Sequence, residues 1–123
     1  MPVVTIRALP QRGLDRTTAA KNIGAAIATA AGVQPTDIWI VWSDVESGAY
    51  VIAGAAPTAE PSDSHPPLVE ISATSGRSAE LTEAILQATA RAVSGELRVP
   101  PENVRVLYAE IPPRRLFSRG RFQ

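Results

Sequence analysis

The sequence predicts an α+β domain, α/β-like in its connections. Two β-α-β units in tandem share a four-stranded mixed sheet, with two helices on one face. Three observations predict this. First, the chain repeats itself. Pro2-Val3-Val4-Thr5-Ile6 returns as Pro67-Leu68-Val69-Glu70-Ile71, and Val33-Gln34-Pro35-Thr36-Asp37-Ile38 returns as Val99-Pro100-Pro101-Glu102-Asn103-Val104, at offsets of 65 and 66. Second, each half sets a helix-length pattern between two short β-branched runs, the spacing of a crossover between parallel strands. Third, 123 residues with 45% hydrophobic and 20% charged side chains suit one domain that buries its own core.

In the first unit, residues 2–54, Val3 to Leu9 alternates and is rich in β-branched residues, a strand pattern. Leu14 to Ala31 reads as a helix with Ala20, Ile23, Ile27 and Ala30 on one face, closed by Gly32. Ile38 to Trp42 is the second strand. Residues 55–66 hold Pro57, Pro61, Pro66, Ser62 and Ser64 and read as a linker. In the second unit, 67–123, Leu68 to Ala73 is a strand and Ser78 an N-cap. Leu81, Ile85, Ala88 and Ala92 line one helix face, and Val104 to Tyr108 is the last long strand. With both helices on one side, the other sheet face is bare, which calls for an oligomer.

Composition excludes several kinds of chemistry. There is no cysteine, hence no disulfide, thiol nucleophile or cysteine zinc site. One histidine, His65, cannot make a histidine cluster, so no metal and no cofactor is expected. Twelve basic and twelve acidic residues balance, giving no overall pull toward nucleic acid or membrane. Charge is uneven, however. Residues 112–123 carry Arg114, Arg115, Arg119 and Arg121 with no acid, leaving the rest of the chain at −4. This short tail has no lysine and, beyond Phe117 and Phe122, none of the interleaved aromatics of a nucleic-acid patch. No apolar run approaches a bilayer span, and the first residues lack a signal-peptide pattern, so a cytoplasmic location is expected.

The motifs themselves carry a resemblance. Pro67-Leu68-Val69-Glu70-Ile71, Gly76-Arg77-Ser78, Asn103-Val104-Arg105-Val106 and Phe117 before Gly120 resemble the short β-α-β subunits of the 4-oxalocrotonate tautomerase family. The first half has the initiating Pro2, Arg12, and Ser47-Gly48-Ala49-Tyr50-Val51-Ile52-Ala53-Gly54, similar to that family's terminal hairpin. The whole chain resembles the fused, two-unit members of the tautomerase superfamily. The resemblance implies a tautomerase/MIF-like fold, a homotrimer, and keto-enol proton transfer on a small 2-hydroxydienoate or enolpyruvate-type carboxylate.

It also implies residue roles. Pro2, once Met1 is removed, is a free secondary amine, and an amine of pKa ~7.7–8.0 lowered by apolar walls is a useful base near neutrality. Arg77 and Arg12 align with the arginine that grips a carboxylate two-pronged. Arg105 aligns with a second arginine, at the substrate's carbonyl end, where the first half has Trp39. Tyr50 and Phe117 align with the aromatic that closes the pocket. Pro67 is locked in an amide to Pro66 and cannot act as a base. Two alternatives stay open. One is a hydratase-type member, akin to haloacrylate dehalogenases or malonate semialdehyde decarboxylases, in which Tyr50 or a carboxylate such as Asp37, Asp44 or Glu110 positions water. The other is a catalytically silent binding or assembly protein, kept alive by Trp39.

Overall fold

The computed structural model describes residues 1–123. Strand β1 (Val3–Ala8), helix α1 (Arg16–Ala31) and strand β2 (Trp39–Asp44) form the first unit. Strand β3 (Leu68–Thr74), helix α2 (Ala79–Leu97) and strand β4 (Arg105–Ile111) form the second. A two-residue-per-strand hairpin, β5 (Phe117–Ser118) and β6 (Arg121–Phe122), ends the chain. The main sheet has the order β2-β1-β3-β4. Within each unit the strands run parallel, and β1 meets β3 antiparallel, so the sheet is mixed.

Helix starts follow the capping chemistry. Asp15 accepts from the backbone N–H groups of Thr17 and Thr18 at 3.0 and 3.2 Å, so α1 opens at Arg16, two residues after the expected start at Leu14. Gly32 closes α1 in the left-handed region at φ 71°, and Ser78 caps α2 by accepting from Leu81 N–H at 3.1 Å.

Strand alternation decides which face is dry. Val4, Ile6, Ala8, Val69, Ile71 and Ala73 point at the helices and are buried. They pack against Ile23 and Ile27 of α1 and Ile85, Val93 and Leu97 of α2. The opposite face carries the cross-strand rows Trp39–Val3–Ser72–Ala109 and Val41–Thr5–Glu70–Leu107. Trp39, Val41 and Leu107 are exposed on it, as expected of a sheet covered on one side.

Two expectations shift. The expected apolar face of α2 is rotated. Thr89 and Val93 are fully buried, whereas Ala88 and Ala92 are half-buried and line, with Ala26 and Ala30, the outer seam between the helices. Small side chains let the helices approach there, and periodicity alone does not separate a sheet-facing stripe from a helix-facing one. The linker is also more than a tether. Glu60 N–H donates to Pro10 C=O at 2.8 Å, Asn103 Nδ2 donates to Ser62 C=O at 2.6 Å, and Glu60, Ser62 and His65 are buried. It is strapped onto the loop after β1 and the turn before β4.

Candidate functional site

The two units place one proline each at opposite ends of the sheet. Pro2 is buried just ahead of β1, and its carbonyl accepts from Trp39 N–H at 3.0 Å. Pro67 is buried just ahead of β3, and its carbonyl accepts from Arg105 N–H at 3.1 Å. Trp39 and Arg105 are therefore structural equivalents. Because β1 and β3 are antiparallel, the start of one strand lies beside the end of the other. Pro2 shares its end with the close of β3 and the loop that follows it.

This separates the six candidate residues. Arg77, half-buried in the loop after β3, lies at the Pro2 end and donates to Tyr108 Oη at 3.5 Å. Phe117 begins the terminal hairpin, is 63% exposed and stacks edge-on against Phe122. Arg105, Arg12 and Tyr50 lie at the Pro67 end. Arg105 pairs with Leu68, which pairs with Arg7. Five residues of strand separate Arg7 from Pro2, roughly 17 Å at 3.3 Å per residue. Arg12 is exposed in the loop after β1. Tyr50 donates to Pro66 C=O at 2.7 Å and packs edge-on against His65. Only a neighbouring copy could present these three to Pro2.

The three carboxylates also have places. Asp44 holds Arg16 at 3.2 Å, Asp37 accepts from Gln34 N–H, and Glu110 is exposed on β4.

A cavity of about 190 Å³ opens at the Pro2 end, between the start of the sheet and the terminal hairpin. Met1, Val3 and Trp39 form one wall, and Ser118, Arg119 and Arg121 the other. Loss of Met1 would both free the Pro2 nitrogen and widen this space. The Arg119 guanidinium sits 5.3 Å from the Trp39 ring centre. A larger groove of about 580 Å³ lies between α1 and β2, where Ala20 and Gly24 leave room. It contains none of the six candidates.

No family model and no curated protein matches the sequence. Solved structures do match. One is a fused 4-OT described as a symmetric trimer, 21% identical, with a TM-score of 0.80 over 98% of this chain and 94% of that one. Another is a protein inactivated by 2-oxo-3-pentynoate, 19% identical, with a TM-score of 0.81 over 96% of this chain and 92% of that one. A third is a member of the cis-3-chloroacrylic acid dehalogenase family, 25% identical, with a TM-score of 0.71 over 98% of this chain and 82% of that one.

The chain has the tautomerase-superfamily fold in its fused, two-unit form.

Within this fused tautomerase fold, the hairpins correct one alignment. The Ile52–Ala55 bridge encloses Ala53 and Gly54 at φ 50° and 82°, and β5–β6 enclose Arg119 and Gly120 at φ 53° and 81°. These are the same two-residue turn, with both central residues at positive φ. The offset of 66 matches Val51 to Phe117 and Tyr50 to Leu116, so Tyr50 and Phe117 are not equivalents. Arg119, Arg121 and Trp39 at the Pro2 cavity were not singled out as binding residues from sequence. The signal was the excess of arginine after residue 112, which does not say which end of the sheet the tail reaches.

Glu60 is a further residue whose setting the sequence does not show. Its Oε2 accepts from Ser62 N–H at 2.6 Å, while the buried Oε1 has no partner. Burial raises its pKa above the ordinary carboxylate value, against the opposing pull of the Ser62 N–H and His65. A carboxyl with a raised folded-state pKa weakens the fold once it ionises, and that cost vanishes as pH falls below its unfolded value. Glu60→Gln keeps the bond from Ser62 and removes the charge. It should raise the melting temperature at pH 8 and change it little at pH 4. An equal shift at both pH values would show that the buried charge is not the cause.

Proposed function

We propose that this protein moves a proton within a small carboxylated enol or dienol, with Pro2 as base and then as acid. The observation that carries the reading is Pro2 itself: a buried proline at the head of a central strand, beside a cavity whose far wall holds two arginines. The ring and the bond from Trp39 N–H aim the nitrogen that loss of Met1 would expose. The neutral amine removes one proton from the enol as its oxygen becomes a carbonyl. The resulting ammonium returns that proton to carbon, so nothing is consumed. Proton removal requires that amine uncharged at the working pH, a state that apolar neighbours favour, while arginines offset the charge of the carboxylate and of the developing enolate.

Arg77 is the family-like arginine at this end of the sheet. Arg77→Ala should raise KM and lower kcat/KM for phenylenolpyruvate by about 10-fold or more, the worth of one charged hydrogen bond. Unchanged kinetics would remove Arg77 from the site. Arg105, Arg12 and Tyr50 take part through a neighbouring copy in a homotrimer, in which the bare sheet face and exposed Val41 and Leu107 are covered. Light scattering should then give about three times the 13.0 kDa chain mass. A monomer at working concentration would end both the trimer and these three assignments.

The 25% identity to a dehalogenase-family member favours one second reading, addition of water to an unsaturated acid. There Pro2 works protonated, as an acid. The pH profile separates the two: a base loses activity as pH falls through the amine pKa, an acid as pH rises through it. The deciding experiment is ketonisation of phenylenolpyruvate, followed by ultraviolet absorbance, in wild type and Pro2→Ala. No helix of this chain is long and apolar enough to cross a membrane.

A further inference from the structure

Each end of the sheet has one strand position and one hairpin-turn position in equivalent places, and the two ends fill them in opposite ways. At the Pro67 end the strand carries Arg105 and the turn carries Ala53. At the Pro2 end the strand carries Trp39 and the turn carries Arg119. The equivalence rests on the same backbone hydrogen bond to each proline carbonyl, and on the same turn with matching positive φ. An arginine absent from the Pro2 strand is present on the Pro2 hairpin.

The guanidinium is also anchored. It lies over the Trp39 ring, whose backbone N–H holds the Pro2 carbonyl. A stacked guanidinium keeps its planar edge free for two parallel hydrogen bonds to a carboxylate. No acidic side chain lines the cavity to neutralise it. Arg121 shares the cavity but is stacked on no ring there. Arg114, the other ring-stacked arginine, lies over Phe122.

We propose that Arg119, carried by the terminal hairpin and lying over Trp39, is the specificity-determining residue that holds the substrate carboxylate beside Pro2, at the end of the sheet where Trp39 stands in the strand position that Arg105 fills at the other. This rests on the reading of Pro2 as the proton carrier. It makes the fused chain's two ends chemically distinct: one has a free amine with its arginine on the turn, the other a blocked amine with its arginine on the strand.

Arg119→Ala is a mild test of structure, because Ala53 already holds the same turn conformation. The probes are phenylenolpyruvate, its methyl ester, and phenylpyruvate. Binding of phenylpyruvate is followed by Trp39 fluorescence in a Trp42→Phe background. Arg119→Ala should raise KM for the acid by about 10–100-fold, leave the ester within about twofold, and weaken phenylpyruvate binding by the same factor as KM. Arg119→Lys should recover part of the loss, and Arg121→Ala should cost less than Arg119→Ala. If wild type is active, Pro2→Ala is not, and Arg119→Ala matches wild type on the acid, the Arg119 assignment falls and the function stands. If wild type and Pro2→Ala are equally inactive, the proposed function falls, and binding decides Arg119. Equal binding by wild type and Arg119→Ala, or none by either, overturns it.

Discussion

Phenylenolpyruvate ketonisation should fall by about 10²-fold or more in Pro2→Ala, the range lost when a positioned general base is removed. The substitution keeps the backbone contact at this position. Pro2 contributes a carbonyl to Trp39 N–H, which alanine supplies equally, and its missing backbone N–H is needed by no partner. Because the substitution also trims a buried ring, a cooperative melt well above the assay temperature is the control by which lost activity reports on the amine and not on the fold. A second arm uses the N-terminus. Protein whose mass retains Met1 should be inactive, because its Pro2 nitrogen is an amide. Activity that survives Pro2→Ala, or that is indifferent to Met1, would move proton transfer to another residue.

Ile6→Ala should lower the unfolding free energy by about 2–5 kcal/mol, the range for emptying a well-packed core site. Ile6 lies in the middle of β1, a strand flanked on both sides, and has no exposure to solvent. It belongs to the cluster that both helices cover. The surrounding strands are paired, so they cannot collapse into the gap. A loss of this size is a large part of the 5–15 kcal/mol that typically holds a domain together. Chemical denaturation read by far-UV circular dichroism measures it. A change below about 1 kcal/mol would mean that the core at β1 repacks freely. Val41→Ala is the contrast: it sits on the same sheet but exposed on the other face, and should cost the isolated chain little.

The order of elements and the proline that heads each unit were legible because each depends on short-range rules, whereas the mixed sheet, set by the antiparallel pairing of β1 with β3, was implied by the family resemblance. Strand alternation, helix period and capping residues such as Ser78 and Gly32 act within a few residues of chain. Duplication doubled every signal. The tilt of the α2 face was not legible, since Thr89 is buried by donating to Ile85 C=O at 2.7 Å, a satisfied hydroxyl that hydropathy counts as polar. Nor was the packing of residues 55–66, whose Pro and Ser content reads as a tether while Glu60 and His65 are held by contacts dozens of residues away or across a turn.

From residues alone come the proline that heads each β-α-β unit, the blocked nitrogen of Pro67, and an arginine complement without cysteine or a histidine cluster. These are covalent facts and local patterns. Which arginine stands beside which proline was decided by the antiparallel pairing of β1 with β3 and by the course of the terminal hairpin. That pairing sends Arg105 to the far end of the sheet and brings Arg119 over Trp39. Sequence distance carries no information about it: Pro2 and Arg119 lie at the two ends of the chain, and only the antiparallel pairing of β1 with β3 and the fold-back after β4 bring the hairpin to the Pro2 end of the sheet.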